Sequence, residues 1–307
     1  MTDNKKTFLV IDSNALLHRA FHALPPLTTE KGEQTGAIYG FLLTLFRAIK
    51  DIQPKFIIAC FDHPAPTFRH RKFKNYKSQR PKTPEDLVNQ IPKVKKILEK
   101  LKIPILEKKG FEADDLIATI CTKTLDNKEN EIEIYIMSGD TDVFQLVNDD
   151  TKVYTLGKGI KETVIYDKEK IVSRFSLAPS QLIDFKALTG DPSDNIPGVS
   201  GVGKKTATTL LKEFGTLENL YQNLESSKIS PKTKKSLLED KKQAFLAKDL
   251  IRTKQDVSID IEMENCRFGI FDKREAEEAL KILGFKSLIS RLSDLSHNSS
   301  DTQLLLI

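Results

Sequence analysis

The sequence predicts an α/β fold, a mostly parallel sheet with helices on both faces, followed by a small helical domain. Three observations carry this. Short β-rich apolar runs, FLVID (8–12), FIIACFD (56–62) and IEIYIMSGD (132–140), recur in the first half of the chain. Helical apolar periodicity fills the intervals between them. After about residue 175 the pattern changes to short helices with glycine-rich turns. Each run suits a strand buried on both faces, and strands alternating with helices favour parallel pairing.

After FLVID, Leu16, Leu17, Ala20, Phe21 and Leu24 share one helical face. Ile38, Phe41, Leu42, Leu45, Phe46 and Ile49 share another before the second strand. Thr83-Pro84-Glu85-Asp86 reads as a helix start with a cap, an N1 proline and acids in the first turn. Leu87, Ile91, Val94, Leu98 and Leu101 continue that helix, and Pro92 should kink or split it. A further helix starts near Phe111-Glu112-Ala113-Asp114-Asp115. The expected boundaries are 1–175 for the α/β domain, 176–292 for the helical domain and 293–307 for a flexible tail rich in Ser, Asp and Asn. No internal repeat is visible.

The 307 residues are 39% hydrophobic, enough for a sizeable core, and the net charge is only +5. Its distribution says more. Arg69, Arg71, Lys72, Lys74, Lys77, Arg80 and Lys82 crowd one stretch, and seven lysines follow from Lys93 to Lys109. A solvated face is the simplest reading of any basic run, but such an excess also attracts polyanions. Cys60, Cys121 and Cys266 are far apart, odd in number and without CxxC spacing, which argues against a disulfide framework or a zinc site and fits a reducing cytoplasm. MTDNKKTFLVID is neither a signal peptide nor a membrane span. No oligomer signal is present, so a monomer is the default.

The three predicted strands end on Asp12, Asp62 and Asp140, with Asp142 two residues on. In open α/β sheets, ligands bind beyond the carboxyl ends of the strands. Glu112, Asp114 and Asp115 at a helix start add three more carboxylates. Alone they would simply complement the helix dipole. Together, so many carboxylates in one cleft repel and raise each other's pKa, and divalent cations relieve this. An all-oxygen ligand set points to Mg²⁺, with Mn²⁺ as a substitute, rather than zinc. Two such ions about 3.5–4 Å apart can clamp the attacking and leaving oxygens of a phosphodiester. The five histidines form no triad-like arrangement.

Gly198-Val-Ser-Gly201-Val-Gly203-Lys204-Lys205-Thr206 nearly matches a P-loop, but Lys205 stands where Ser or Thr is required and no strand precedes it. A hairpin between two helices fits better. Its following helix would offer free N–H groups to a phosphate without reading sequence. A plain αα-hairpin turn is the simpler alternative.

FDHPAPTFRHRKFKNYKSQR (61–80), GFEADDLIA (110–118), MSGDTDVFQLV (137–147) and GDPSDNIPGVSGVGKKTA (190–207) resemble the signature segments of the 5′→3′ exonuclease (flap endonuclease) domain of bacterial DNA polymerase I. The resemblance runs from about residue 7 to residue 292. It implies a PIN-like core with a helical arch at about 69–102 and a helix-hairpin-helix DNA-binding element. It implies metal ligation by Asp12, Asp62, Glu112, Asp114, Asp115, Asp140 and Asp142, and adds Asp191 and Asp194, which spacing alone reads as turn caps. Within the arch it implies DNA contacts by Arg69, Arg71, Lys72 and Lys74, stacking by Tyr76, and phosphate contacts by Lys77 and Arg80. At the hairpin it implies DNA contacts by Gly201, Gly203, Lys204, Lys205 and Thr206, with a K⁺ ion among the carbonyls. Two positions depart from the family pattern. Thr141 stands where Lys is common between the two aspartates of GDxD, and Phe111 where Tyr is common.

The function so implied is hydrolysis of DNA phosphodiesters with two or more Mg²⁺ ions, with Lys77, Arg80, Asp12, Asp62, Asp115 and Asp140 as the catalytic set. Substrates would be 5′ flaps, nicks, DNA ends and RNA primers paired to DNA. A DNA polymerase and a ligase are the implied partners, and a stand-alone nuclease is expected. The alternative is a DNA-end binding module that does not cut, and a weaker one is a PIN-type ribonuclease. The intact carboxylate set speaks against a pure binder, which has no need of concentrated negative charge beside DNA.

Overall fold

The computed structural model describes residues 5–126, 131–157, 162–225 and 227–295. The chain opens with β1 (Lys6–Asp12), α1 (Ser13–Ala23), α2 (Gly36–Ile52) and β2 (Phe56–Cys60). α3 (Phe68–Lys72), α4 (Glu85–Val88) and α5 (Ile91–Lys100) lead to the short β3 (Ile105–Leu106). α6 (Ala113–Asp126) precedes β4 (Ile132–Met137), β5 (Thr151–Leu156) and β6 (Thr163–Tyr166). The strands stand in the order β3-β2-β1-β4-β5-β6, parallel except for β6. β2 and β3 extend the sheet on one side of β1, and β4 returns on the other. The switch point, where α/β sheets open a ligand crevice, therefore lies at the carboxyl ends of β1 and β4.

The three expected strands are present, and β1 and β2 are buried on both faces along their apolar residues. Alternate side chains feed two cores. Phe8, Val10, Ile58, Ile134 and Ile136 pack towards α6 and the second half of the chain. Leu9, Ile11, Ile57 and Ala59 pack towards α1, α2 and α5. The predicted apolar face of α2, from Ile38 to Ile49, is wholly buried. Thr35, which precedes α2, makes no side-chain cap. Instead the buried Gln90 accepts from the N–H groups of Ala37 and Ile38 at 2.9 and 3.2 Å, a cap supplied from a distant part of the chain.

Pro92 splits the helix as expected: α4 ends at Val88, and α5 begins with the proline in its first turn. Pro84, expected at N1, sits one place earlier as the N-cap. Of the segment expected to form an arch, α5 belongs to a packed layer, with Val94, Ile97 and Leu98 buried against α2 and its neighbours. Three of its four lysines pair with acids: Lys93 with Glu33, Lys95 with Glu107 and Lys100 with Glu275, while Lys96 is exposed. The stretch from Arg71 to Lys82 is a further exposed basic part, in which Arg71, Lys72, Lys74, Arg80 and Lys82 are exposed and Lys77 is half-buried.

The second half comprises α7 (Lys168–Phe175), α8 (Leu182–Thr189), α9 (Lys204–Phe214), α10 (Leu217–Gln222), α11 (Pro231–Glu239) and α12 (Lys241–Ile251). α13 (Lys273–Ile282) and α14 (Lys286–Leu295) then return to pack on α5 and α2. The tail expected from residue 293 is helical to Leu295, and its remainder lies outside the described residues. Among the described residues no helix is long and apolar enough to cross a membrane.

Candidate active site

Sheet register assembles the first carboxylates. Asp12 pairs with Cys60 across β1 and β2, and Ile11 pairs with Met137 across β1 and β4. Parallel pairing therefore brings Asp12, Asp62 and Asp140 to one sheet edge. Each is then tied down locally. Asp12 caps α1 through Ala15 N–H at 3.2 Å and accepts from the Ser138 hydroxyl at 2.6 Å. Ser138 Oγ in turn accepts from Asp140 N–H at 2.9 Å. Asp62 accepts from Ala113 N–H at 2.7 Å and so caps α6, which projects Asp114 towards the same edge.

The electrostatics show a site short of positive charge. Burial pushes the Asp12 carboxyl up to about 7, with Asp62 and Asp140 adding repulsion. Burial also carries Asp142 to about 7, with Asp140 next in effect. Asp114 is raised well above the usual range by burial and then by Asp12, Asp140, Asp142 and Asp62. These five carboxylates thus feel one another directly, as the strand-end pattern predicts.

The other expected ligands have protein partners. Asp191 binds Lys186 Nζ at 2.7 Å, and the same ammonium reaches Asp142. Burial would raise Asp191, but Lys186 and the Ser193 hydrogen bonds outweigh it and hold its pKa down. Glu112 pairs with Lys77 at 2.9 Å, and Asp194 with Arg80 at 2.6 Å. Burial would likewise raise Glu112, yet Lys77 and Arg69 hold it down. Among the described residues no group of three His, Cys, Asp or Glu is drawn to metal-ligand spacing. Lysine and arginine side chains stand between several of the carboxylates.

Three residues take up positions that spacing did not suggest. Tyr76, expected to stack on a base, is buried, and its hydroxyl donates towards Glu112 and Asp194 at 2.9 Å each. Arg69, grouped with the DNA-contacting cations, is also buried and clamps Asp115 with two nitrogens at 2.7 and 2.8 Å. Asp115 further accepts from the N–H groups of Glu112 and Lys254. Its oxygens are committed to joining α3, α6 and the segment after α12, not aimed at the strand-end cluster. Lys186 was missed altogether. It sits on α8 with no local pattern linking it to Asp142, 44 residues away, and only the tertiary fold shows it. Thr141 brings no cation beside Asp142, and Lys186 supplies one.

Of the remaining basic residues, Arg71, Lys74 and Arg80 are exposed, and Lys72 pairs with Asp249. Lys77 is half-buried in the left-handed region at φ 53°, and its N–H donates to Asp194 O at 2.9 Å. A non-glycine residue held there is a local strain that the surrounding contacts maintain.

α8 and α9 pack as the expected helical pair. Val199 and Val202 of the connection point inward, while Gly201, Gly203, Lys204 and Lys205 are exposed and Thr206 is half-buried. Gly201 has φ +74°, which favours glycine, and Gly203 caps α9 without a side-chain bond, leaving first-turn N–H groups open. Asp240 accepts from Ser200 N–H at 2.7 Å and braces the turn from behind.

Residues 7–176 match the family model of the 5′–3′ exonuclease N-terminal resolvase-like domain, and residues 177–274 that of the 5′–3′ exonuclease C-terminal SAM fold. The chain belongs to the 5′–3′ exonuclease family. It is 37% identical over 300 residues to the 5′-3′ exonuclease of Aquifex aeolicus, covering 97% of this chain and 99% of that one. It is 38% identical over 305 residues to DNA polymerase I of Bacillus subtilis, covering 99% of this chain but 34% of that polymerase. Among solved structures, the flap endonuclease D15 of bacteriophage T5, in complex with DNA and metal ions, aligns with a TM-score of 0.64 at 19% identity, covering 94% of this chain and 98% of that one. The catalytic core of Rad2 with DNA substrate aligns with a TM-score of 0.58 at 20% identity, covering 95% and 93%. At those identities the likeness speaks for the fold, and this family member shares its resolvase-like sheet and helical second half.

Proposed function

We propose that this family member hydrolyses DNA phosphodiesters at 5′ flaps, nicks, ends and RNA primers in a reaction that depends on divalent cations. The carrying observation is the set Asp12, Asp62, Asp114, Asp140 and Asp142 at one sheet edge, two of them with pKa values raised to about 7. Oxygen-only donors in mutual repulsion suit Mg²⁺ or Mn²⁺. These five residues, with Asp191, would hold the ions, and Glu112 and Asp194 would join them once their own cations move to DNA. A bound divalent ion supplies Lewis acidity there, acidifying water and neutralising charge on phosphate oxygens. DNA and metal ions in the T5 complex support this reading.

The chain's own residues do the rest. Lys77 and Arg80, now paired with Glu112 and Asp194, exchange those partners for phosphate oxygens and stabilise charge developing on them. Arg71, Lys72 and Lys74 extend that contact along the backbone. Gly201, Gly203, Lys204, Lys205 and Thr206 hold duplex phosphates at the N-terminus of α9, where the turn from Gly198 to Gly203 would also hold a K⁺ ion that offsets phosphate charge. Arg69 and Asp115 act by fixing α3 and α6. Coupling to a DNA polymerase and a ligase is part of the same proposal.

The test is cleavage of a labelled 5′-flap duplex with Mg²⁺, with EDTA, and with Asp140→Asn. Release of a 5′ fragment that requires the metal and is lost in the variant is expected. Tight binding without cutting under every metal condition would sink the nuclease reading in favour of a DNA-end binding module.

A further inference from the structure

Lys186 is a cation that joins the two halves of the site. It lies on α8, yet its ammonium contacts Asp142, which follows β4, and also Asp191 at 2.7 Å, at the head of the GDPSDN loop. A flexible four-carbon stem carries this point charge, and the side chain remains 24% exposed, so it can rotate out to solvent. A divalent ion held between the same two carboxylates would meet that ammonium at contact distance, where like charges repel strongly. The lysine and the ion therefore exclude each other.

We propose that Lys186 is a resident counter-cation that occupies the place between Asp142 and Asp191, so that a divalent ion must displace it to bind there. Lys186 is thus a positioning residue that limits how many divalent ions the free protein holds. The inference rests on the metal-dependent reading of the site above. It also accounts for how buried carboxylates from two halves of the chain stay together before any ion binds: one ammonium bridges them.

The experiment is titration of the full chain with Mn²⁺ alone, following free Mn²⁺ by electron paramagnetic resonance, for the wild type, Lys186→Met and Lys186→Arg. Lys186→Gln is a second neutral variant, and circular dichroism checks the fold of each. Removing one positive charge at contact distance should tighten the weaker Mn²⁺ site by about tenfold or more in the neutral variants. Lys186→Arg, which keeps the charge, should bind no more tightly than the wild type. A folded neutral variant with unchanged or weaker Mn²⁺ binding overturns the proposal while leaving the metal-dependent reading intact. A tightened Lys186→Arg also overturns it. If neither wild type nor variants bind Mn²⁺, the metal-dependent reading itself fails and the proposal falls with it.

Discussion

Gly198 lies so close to Gly190 that a Cβ on Gly198 would stand 2.2 Å from the Gly190 backbone nitrogen. No flexible side chain is available to give way. The two glycines pinch the base of the loop that carries Asp191 and Asp194, and the Asp191–Ile196 bridge closes it. Gly198→Ala is expected to destabilise the protein by about 3 kcal/mol or more, because the backbone itself must move. Gly203→Ala, where a Cβ meets nothing within 4 Å, should cost far less. Urea unfolding of both variants checks this, and equal losses would contradict the pinch.

Arg69 and Asp115 form a buried ion pair that also holds the carbonyls of Leu250 and Arg252. Breaking one partner leaves a buried charge uncompensated. Arg69→Met should therefore cost roughly 3–5 kcal/mol. Because Arg69 is covered, the salt dependence of DNA binding should keep its slope, whereas loss of a phosphate contact would lower it by about 0.9. A stable variant with a shallower slope would return Arg69 to the DNA surface.

Asp12 gives the pH dependence its sign. Its carboxyl is raised by burial from 3.8 to about 7, so the folded state holds the proton more tightly than the unfolded chain. Stability therefore falls as pH rises through the window between those two values and levels off above about 7. Asp142 acts in the same sense. Glu112 and Asp191, held low, act oppositely but only at more acidic pH. In EDTA, Tm should rise from about pH 8 to about pH 6, by roughly 2–4 °C for each ~1 kcal/mol recovered. Mg²⁺ should raise Tm more at the higher pH. A Tm in EDTA that drops over that window would refute the assignment.

Lys77→Ala should slow single-turnover cleavage by about tenfold or more while changing flap affinity little, since its phosphate contact strengthens as charge develops. Tyr76→Phe should behave differently. It removes a hydroxyl shared by two carboxylates and should cost roughly 1.5–3 kcal/mol of stability, with little effect on DNA binding. An unchanged single-turnover rate for Lys77→Ala, or a large affinity loss for Tyr76→Phe, would reverse these roles.

Local pattern alone specified the central strands and the aspartates at their ends. A buried parallel strand is a short apolar run, and parallel register lines up the residues just beyond each run. The break at Pro92 and the packed face of α2 were legible for the same reason: ring geometry and apolar period act over a few residues. The sharing of charge was settled by packing instead. Lys186 spans 44 residues to Asp142, Arg69 spans 46 to Asp115, and Arg80 spans 114 to Asp194. A charge carries no mark of its partner in the chain. Which basic residues face solvent and which neutralise the site depends on where α3, α6, α8 and the GDPSDN loop are packed, and burial then makes each unpaired alternative costly.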